Sequence, residues 1–365
     1  NHSMRPYTNF NDIWTFGDNL SIIRGAHSLK TGFSFERTGK WQQGGSGQYL
    51  GAYTFSSTSA MPQDTGNGYA NGLVGNFQTY SEGWRVMGDF WFTSFEAFVQ
   101  DNWRVSRRLT LDLGVRFYHL PPQANLNNSS AAFVMSTYDP SKVARLYYPD
   151  YDANRRQVAK DLKTGYTTYP SLVGTFVPCS VGGYSSCPTY TPGMVLMDGK
   201  GLPQSGYTVR GLVPAIRLGL AWDLFGNGKT ALRTGFGQFY HRGDGNQIMS
   251  MNGQPPVTIN KTLYYAPISS VLTEGPNAAV SPIAPTYNTT GREKLEGIMN
   301  WSFGFQQSVG FGTVVDASYV GSVRRHVQQT RQINAIPMYA RYDPANLNPW
   351  NATLPAHANR SYAEN

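Results

Sequence analysis

The chain has 365 residues and carries 30 Lys and Arg against 22 Asp and Glu, so charged residues make up 14% of it, where ordinary soluble domains hold about 25%. Its apolar content is unusually aromatic, with 23 Tyr, 19 Phe and 8 Trp beside 39 Gly, and its mean hydropathy is −0.39. No window approaches the roughly 18 uninterrupted apolar residues of a membrane-spanning helix, and triplet glycine, sustained heptads and charge-driven disorder are excluded as well. The net charge is +8 with a pI near 9.3, yet Lys and Arg are scattered and form no basic stripe interleaved with aromatics, which argues against nucleic acid as a partner. Asn1 opens the sequence without a charged leader or apolar segment, as expected of a chain whose signal was removed or of an internal piece of something longer.

Strand patterns come in pairs joined by very short turns. The first pair covers about 12–41 around Arg24-Gly25-Ala26, and the second about 92–120 around Ser106-Arg107-Arg108. The third covers about 212–241 around Gly226-Asn227-Gly228, and the fourth about 298–323 around Gly310-Phe311-Gly312. Gly and Asn in these turns are expected to supply the positive φ of tight hairpins. Within the strands apolar residues alternate with polar or small ones: Leu109, Leu111, Leu113, Val115 and Phe117 against Thr110, Asp112, Gly114, Arg116 and Tyr118. Trp14, Phe16, Leu20 and Ile22, then Ile216, Leu218, Leu220 and Trp222, then Trp301, Phe303 and Phe305 repeat the scheme. Two places break it: Asp101 falls among apolar positions, and the strand from Lys229 is loosely patterned around Leu232 and Phe236.

A soluble sandwich shows the same alternation, so strand and connection lengths decide. The strands sustain about 11–15 residues, against a usual mean of about 5–6, and about 9–11 suffice to cross a bilayer when tilted. The connections of about 42–91, 121–211, 242–297 and 324–365 are far longer than the usual median of about 4–6. Tiny turns alternating with very long loops point to an antiparallel transmembrane β-barrel of the outer-membrane kind, here a partial one of about 8–10 strands in a single domain. In lipid every backbone polar group must be paired, so such strands belong to a closed sheet.

The loops are rich in Tyr, Gly, Asn, Ser and Pro, including Tyr147, Tyr148, Tyr151, Tyr166 and Tyr169. They read either as solvated irregular segments or as a ligand-gathering surface of aromatic and amide side chains, with a local strand near Tyr53 to Phe55 and a helical turn near Arg292 to Leu295. Cys179 and Cys187, the two cysteines, lie in one such loop and read as a local disulfide formed in an oxidising compartment. The six histidines show no ligand spacing, and no metal or cofactor is implied. Gly226-Asn227-Gly228-Lys229-Thr230 fails as a phosphate loop because Asp223 stands where a glycine is needed and a strand follows. Asp64-Thr65-Gly66-Asn67-Gly68 lacks the terminal acid of a calcium loop, Gly75 standing in its place. No nucleophile elbow occurs, and no catalytic residue is expected.

With the apolar faces toward lipid, Lys30, Glu36, Asp112, Arg116, Arg217, Asp223, Arg233 and Asp316 are expected to face the lumen. Water there tolerates charge, whereas Arg or Lys at mid-depth on the lipid face costs about 2–4 kcal/mol. These residues either solvate the wall and pair with one another, or contact a plug or passing solute.

The run Phe98-Val99-Gln100-Asp101-Asn102-Trp103-Arg104-Val105, followed by Arg108-Leu109-Thr110-Leu111-Asp112-Leu113-Gly114-Val115-Arg116-Phe117, resembles the barrel motif of TonB-dependent receptors. The likeness is closest to the Oar-like group, whose members carry a carboxypeptidase-regulatory-like domain at the N-terminus. Arg24-Gly25-Ala26-His27-Ser28-Leu29-Lys30, Arg217-Leu218-Gly219-Leu220-Ala221-Trp222-Asp223 and Asn300-Trp301-Ser302-Phe303-Gly304-Phe305-Gln306 resemble the same group. The resemblance implies a barrel of about 22 strands around a plug, in the bacterial outer membrane, importing solute with energy passed on by TonB. This sequence shows no plug, no TonB box and no C-terminal aromatic strand end, as expected of an internal segment of the barrel; lipid, TonB and a plug are then partners of the full-length protein. Three readings stand: an energy-coupled transporter of an oligosaccharide, peptide or metal chelate; a passive porin or surface adhesin; and a soluble secreted carbohydrate-binding β protein.

Overall fold

The computed structural model describes residues 9–45, 51–274, 278–286, 291–329, 331–335 and 337–340. Eight long strands form the wall: β1 (Asn9–Arg24), β2 (His27–Gly45), β3 (Arg85–Arg104), β4 (Leu109–His119), β5 (Val213–Asp223), β6 (Thr230–His241), β7 (Glu296–Gly310) and β8 (Thr313–Arg325). Each pairs antiparallel with its sequence neighbours in one meander, and the short strand Ala124–Asn125 pairs with β3. The sheet is open: among the described residues β1 pairs with β2 alone and β8 with β7 alone. β2 and β3 run to 19 and 20 residues. Their register continues to Gly45 opposite Arg85, past the point where Gly88 and Asp89 interrupt the apolar alternation.

The four turns are held by different devices. Gly25 adopts φ 59° between β1 and β2. Between β3 and β4 the Ser106 hydroxyl oxygen accepts from the Arg108 and Leu109 backbone N–H groups, each at 3.1 Å, and no positive φ is needed. Between β5 and β6 Gly226 and Gly228 both lie at φ 71°. A Cβ on Gly226 would sit 2.1 Å from Arg108 Nε, so a side chain there would displace the Arg108 guanidinium, while the positive φ is what favours glycine. Asn227 instead uses its side chain, which accepts from the Lys229 N–H at 3.0 Å. In the last turn it is Phe311, at φ 54°, that takes the left-handed conformation together with Gly312.

The long connections are folded rather than irregular. Ala52–Thr54, Asn76–Glu82 and Lys261–Pro267 build a sheet from two different loops. Tyr148–Tyr151, Gln157–Lys160 and Thr167–Thr168 build a second, and Ala131–Phe133 pairs with Met194–Leu196. The expected helical turn at Arg292 to Leu295 is instead a strand, Arg292–Glu293, running parallel to Thr208–Val209. Pairing with a segment more than 80 residues away overrides the local pattern there. Helix α1 (Gly68–Val74) is capped by Asn67, whose side chain accepts from the Tyr69 N–H at 2.9 Å, and ends at left-handed Gly75. The loops also hold the apolar cores. One packs Ala132, Val134, Met197, Leu202, Ile248 and Met251 of the loops against Phe90 at the loop end of β3; another gathers Phe77, Leu263 and Ala266. The expected terminal loop beyond about 324 starts after Arg325, and residues 341–365, including Tyr362 to Asn365, lie outside the described residues.

Candidate functional site

Because side chains alternate across a strand, the registers fix which residues share a face. Val99 opposes Val115, Leu113 opposes Leu218, and Phe236 opposes Trp301. Phe16 opposite Phe35 and Phe303 opposite Tyr319 lie on that same face, and many of these rings are exposed, Phe303 at 52%. The other face carries most of the polar and small residues, with Phe92, Phe98 and Phe239 among them. One cross-strand row on it runs Ser21, Lys30, Gln100, Gly114, Arg217, Gly237, Asn300 and Ser322.

All eight charged residues singled out from the sequence fall on this polar face, but they are not equally available. The Asp223 carboxylate accepts from the Gly226 N–H at 3.0 Å and the Gly228 N–H at 2.9 Å, so it holds its own turn. Asp112 accepts from Asn102 Nδ2 at 2.5 Å and Asp316 from Gln306 Nε2 at 2.5 Å. Arg116 donates through Nε to Glu96 Oε2 at 2.6 Å, and its guanidinium lies 5.7 Å from the Phe98 ring centre. Glu36 accepts from the Thr38 hydroxyl at 2.9 Å. Arg233 stands between Ala221 and Gly304. Arg217 lies over the Phe239 ring at 4.7 Å, and its Nε is buried without a partner. Lys30 and Arg217 line one cavity with Gln100, Gly114 and Arg116.

Sequence reading missed Arg242, which follows β6 and so lies outside any alternating pattern. Its guanidinium sits 3.1 Å over the Phe92 ring and donates through Nη2 to Ser94 Oγ at 3.4 Å, while Nη1 is buried without a partner. Burial pulls its pKa down to about 10, with Glu36 and Tyr207 opposing that shift. Glu296 at the loop end of β7 was missed too; it meets His241 Nε2 at 3.2 Å and Arg324 Nη2 at 3.3 Å.

On the apolar face Asp101 has a partner the sequence did not reveal. His27 Nδ1 lies 2.7 Å from Asp101 Oδ2, and the imidazole stacks on Trp103 with ring centres 5.3 Å apart. The acid is thus answered across the strand, next to the turn. In the loops Cys179 and Cys187 are bonded, with Cα atoms 5.3 Å apart. Nearby, Arg145 grips the buried Asp161 through Nε to Oδ1 at 3.0 Å and Nη2 to Oδ2 at 2.7 Å. It also lies 4.2 Å over the Tyr184 ring. Asp64 is taken up by Asn71 Nδ2 at 2.8 Å and Ser57 Oγ at 2.8 Å, bonds that hold its carboxyl below the usual range and fix a loop.

Among solved structures the chain is similar to the outer membrane transporter YddB from Escherichia coli, at 12% identity and a TM-score of 0.38 over 86% of this chain and 25% of that one. It is similar also to the ferric citrate transporter FecA in its unliganded form, at 10% identity and a TM-score of 0.28 over 83% of this chain and 26% of that one. The chain therefore spans about a quarter of the length of these proteins. No curated protein matches it. The model of an outer membrane beta barrel domain matches residues 1–364. With its antiparallel two-faced wall, the chain belongs to the outer membrane beta barrel domain family and has its place in the bacterial outer membrane.

Proposed function

We propose that this chain supplies part of the wall and outer loops of a TonB-dependent receptor of the Oar-like kind, which takes up an oligosaccharide, peptide or metal chelate. The observation that carries the reading is the two-faced wall, with strands of 11 to 20 residues, turns at one end and folded loops at the other. The apolar face meets lipid and the polar face, with Lys30, Glu36, Asp112, Arg116, Arg217, Asp223, Arg233 and Asp316, meets the lumen. The motif resemblance across Phe98 to Phe117 favours energy-coupled uptake over passive diffusion. Solute held by the loop cap passes along a wall of amides, hydroxyls and paired charges, with no catalytic chemistry.

The test uses the full-length protein in its own cells, with fluorescent maltodextrin, oligopeptide and ferric-chelate probes. Expected is that inactivating TonB leaves surface binding of one probe intact and abolishes its accumulation. Equal accumulation with and without TonB identifies a passive porin, and binding without accumulation in either strain identifies an adhesin.

A further inference from the structure

The row through Lys30, Gln100, Gly114 and Arg217 encloses a feature that the transport reading does not use. Between Gln100 on β3 and Arg217 on β5, the residue on β4 is Gly114, whose missing side chain leaves a notch in the wall. A Cβ built there would already lie 3.4 Å from Gln100 Cγ. The notch is a cavity of about 210 Å³. Three cations border it, and they differ. Arg116 has the Glu96 carboxylate. Lys30 and Arg217 have no carboxylate within 4.0 Å among the described residues. Arg217 moreover buries Nε with no acceptor while the Phe239 ring steadies its guanidinium. A buried donor without an acceptor is costly and rarely kept without one.

We propose that this notch is a carboxylate-binding seat on the inner wall. The guanidinium edge of Arg217 and the ammonium of Lys30 take the two oxygens, with the Gln100 amide as a third polar contact. The charge count selects the class of anion. Arg116 and Glu96 cancel, and Asp112, one step along β4 from Gly114, offsets part of the remaining two positive charges. What is left suits a single negative charge better than a phosphate dianion. The carboxylate comes either from a protein segment filling the lumen or from a solute in transit. The seat rests on the inward placement of the polar face and not on energy coupling, so failure of the TonB experiment leaves it standing.

A water-soluble carbodiimide, applied to outer membranes holding the full-length protein, reads the seat directly, since a carboxylate lodged against Lys30 Nζ is converted to an amide that peptide mass spectrometry locates. In one arm the reagent is used alone; in the other, carbon-13 acetate is added. Expected is preferential coupling at Lys30 over the exposed Lys229. Linkage to an Asp or Glu outside this wall identifies a protein carboxylate, and isotopic acetylation identifies a seat open to solutes. Arg217→Gln should lower Lys30 coupling about tenfold, the worth of one charge-assisted hydrogen bond, and leave Lys229 unchanged. Gly114→Val, which fills the notch and keeps every charge, should do the same. Coupling at Lys30 no faster than at Lys229, linkage to Asp112 or Glu96, or indifference to both substitutions would overturn the proposal.

Discussion

In β1 every residue is exposed, Phe16 at 65% and Trp14 at 54% on the apolar face, whereas Phe77, in the loop that follows β2, is wholly buried. The contrast holds along the chain. Of the described buried apolar residues, those in wall strands are Val86, Phe90, Tyr118 and Ala215, all toward the loop end; the rest belong to the loops. The wall is a hydrogen-bonded ladder whose apolar side is completed by lipid, and it needs no interior of its own. The loop cap lies beyond the lipid and must exclude water by packing, as a soluble domain does. One sequence therefore obeys two rules for where an apolar side chain belongs, and substitutions should separate them.

The largest effect is expected in the cap. Phe77→Ala removes a ring at 0% exposure from the cluster with Leu263 and Ala266 and should cost about 3–5 kcal/mol of local stability. Hydrogen exchange in the full-length protein should show it across 76–82 and 261–267, with the amides of β4 and β5 unchanged. Loss of protection in β4 and β5 as well would mean that cap and wall unfold as one unit. Next comes the wall. Leu218→Arg puts a cation on the lipid face opposite Leu113 and should cost about 2–4 kcal/mol by urea unfolding from lipid vesicles. Ser302→Arg, on the polar face, should cost far less. Equal costs would mean that the two faces of the wall are not distinct solvents.

The wall was legible because lipid on one side and lumen on the other impose period two on each strand, a signal contained in some eleven consecutive residues. The same period put the eight charged candidates on one face. It could not say which were already engaged, because Asp223 is held by Gly226 and Gly228 through turn geometry rather than alternation. Nor could it show that Asp101 is met by His27, 74 residues away. The cap was illegible for the same reason on a larger scale. Asn125, wholly buried, donates to Asn252 Oδ1 at 3.2 Å and to Ser130 Oγ at 2.7 Å, and the first of those partners is 127 residues on. Arg242 was hidden because it lies where the strand pattern has stopped and the loop reaches back over Phe92.

The smallest effect comes from acid, which should loosen the cap and spare the wall. Asp161 is buried to 1% of its side chain, and the Arg145 bonds, helped by the Thr164 hydroxyl at 2.8 Å, hold its pKa down to about 2 from an ordinary 3.8. The folded value is the lower one, so the unfolded chain takes up the proton first as pH falls. The stabilisation is therefore complete above about pH 4 and is lost as pH drops through 2. Its full size is on the order of 2–3 kcal/mol, from roughly two pKa units at 1.36 kcal/mol each. Tyrosine fluorescence and hydrogen exchange around 145–184 should show the cap loosening between pH 4 and pH 2, while protection in β4 to β7 persists. In Asp161→Asn that pH dependence should vanish, because the side chain no longer titrates. The same loosening in the variant would move the acid sensitivity to other carboxylates of the cap.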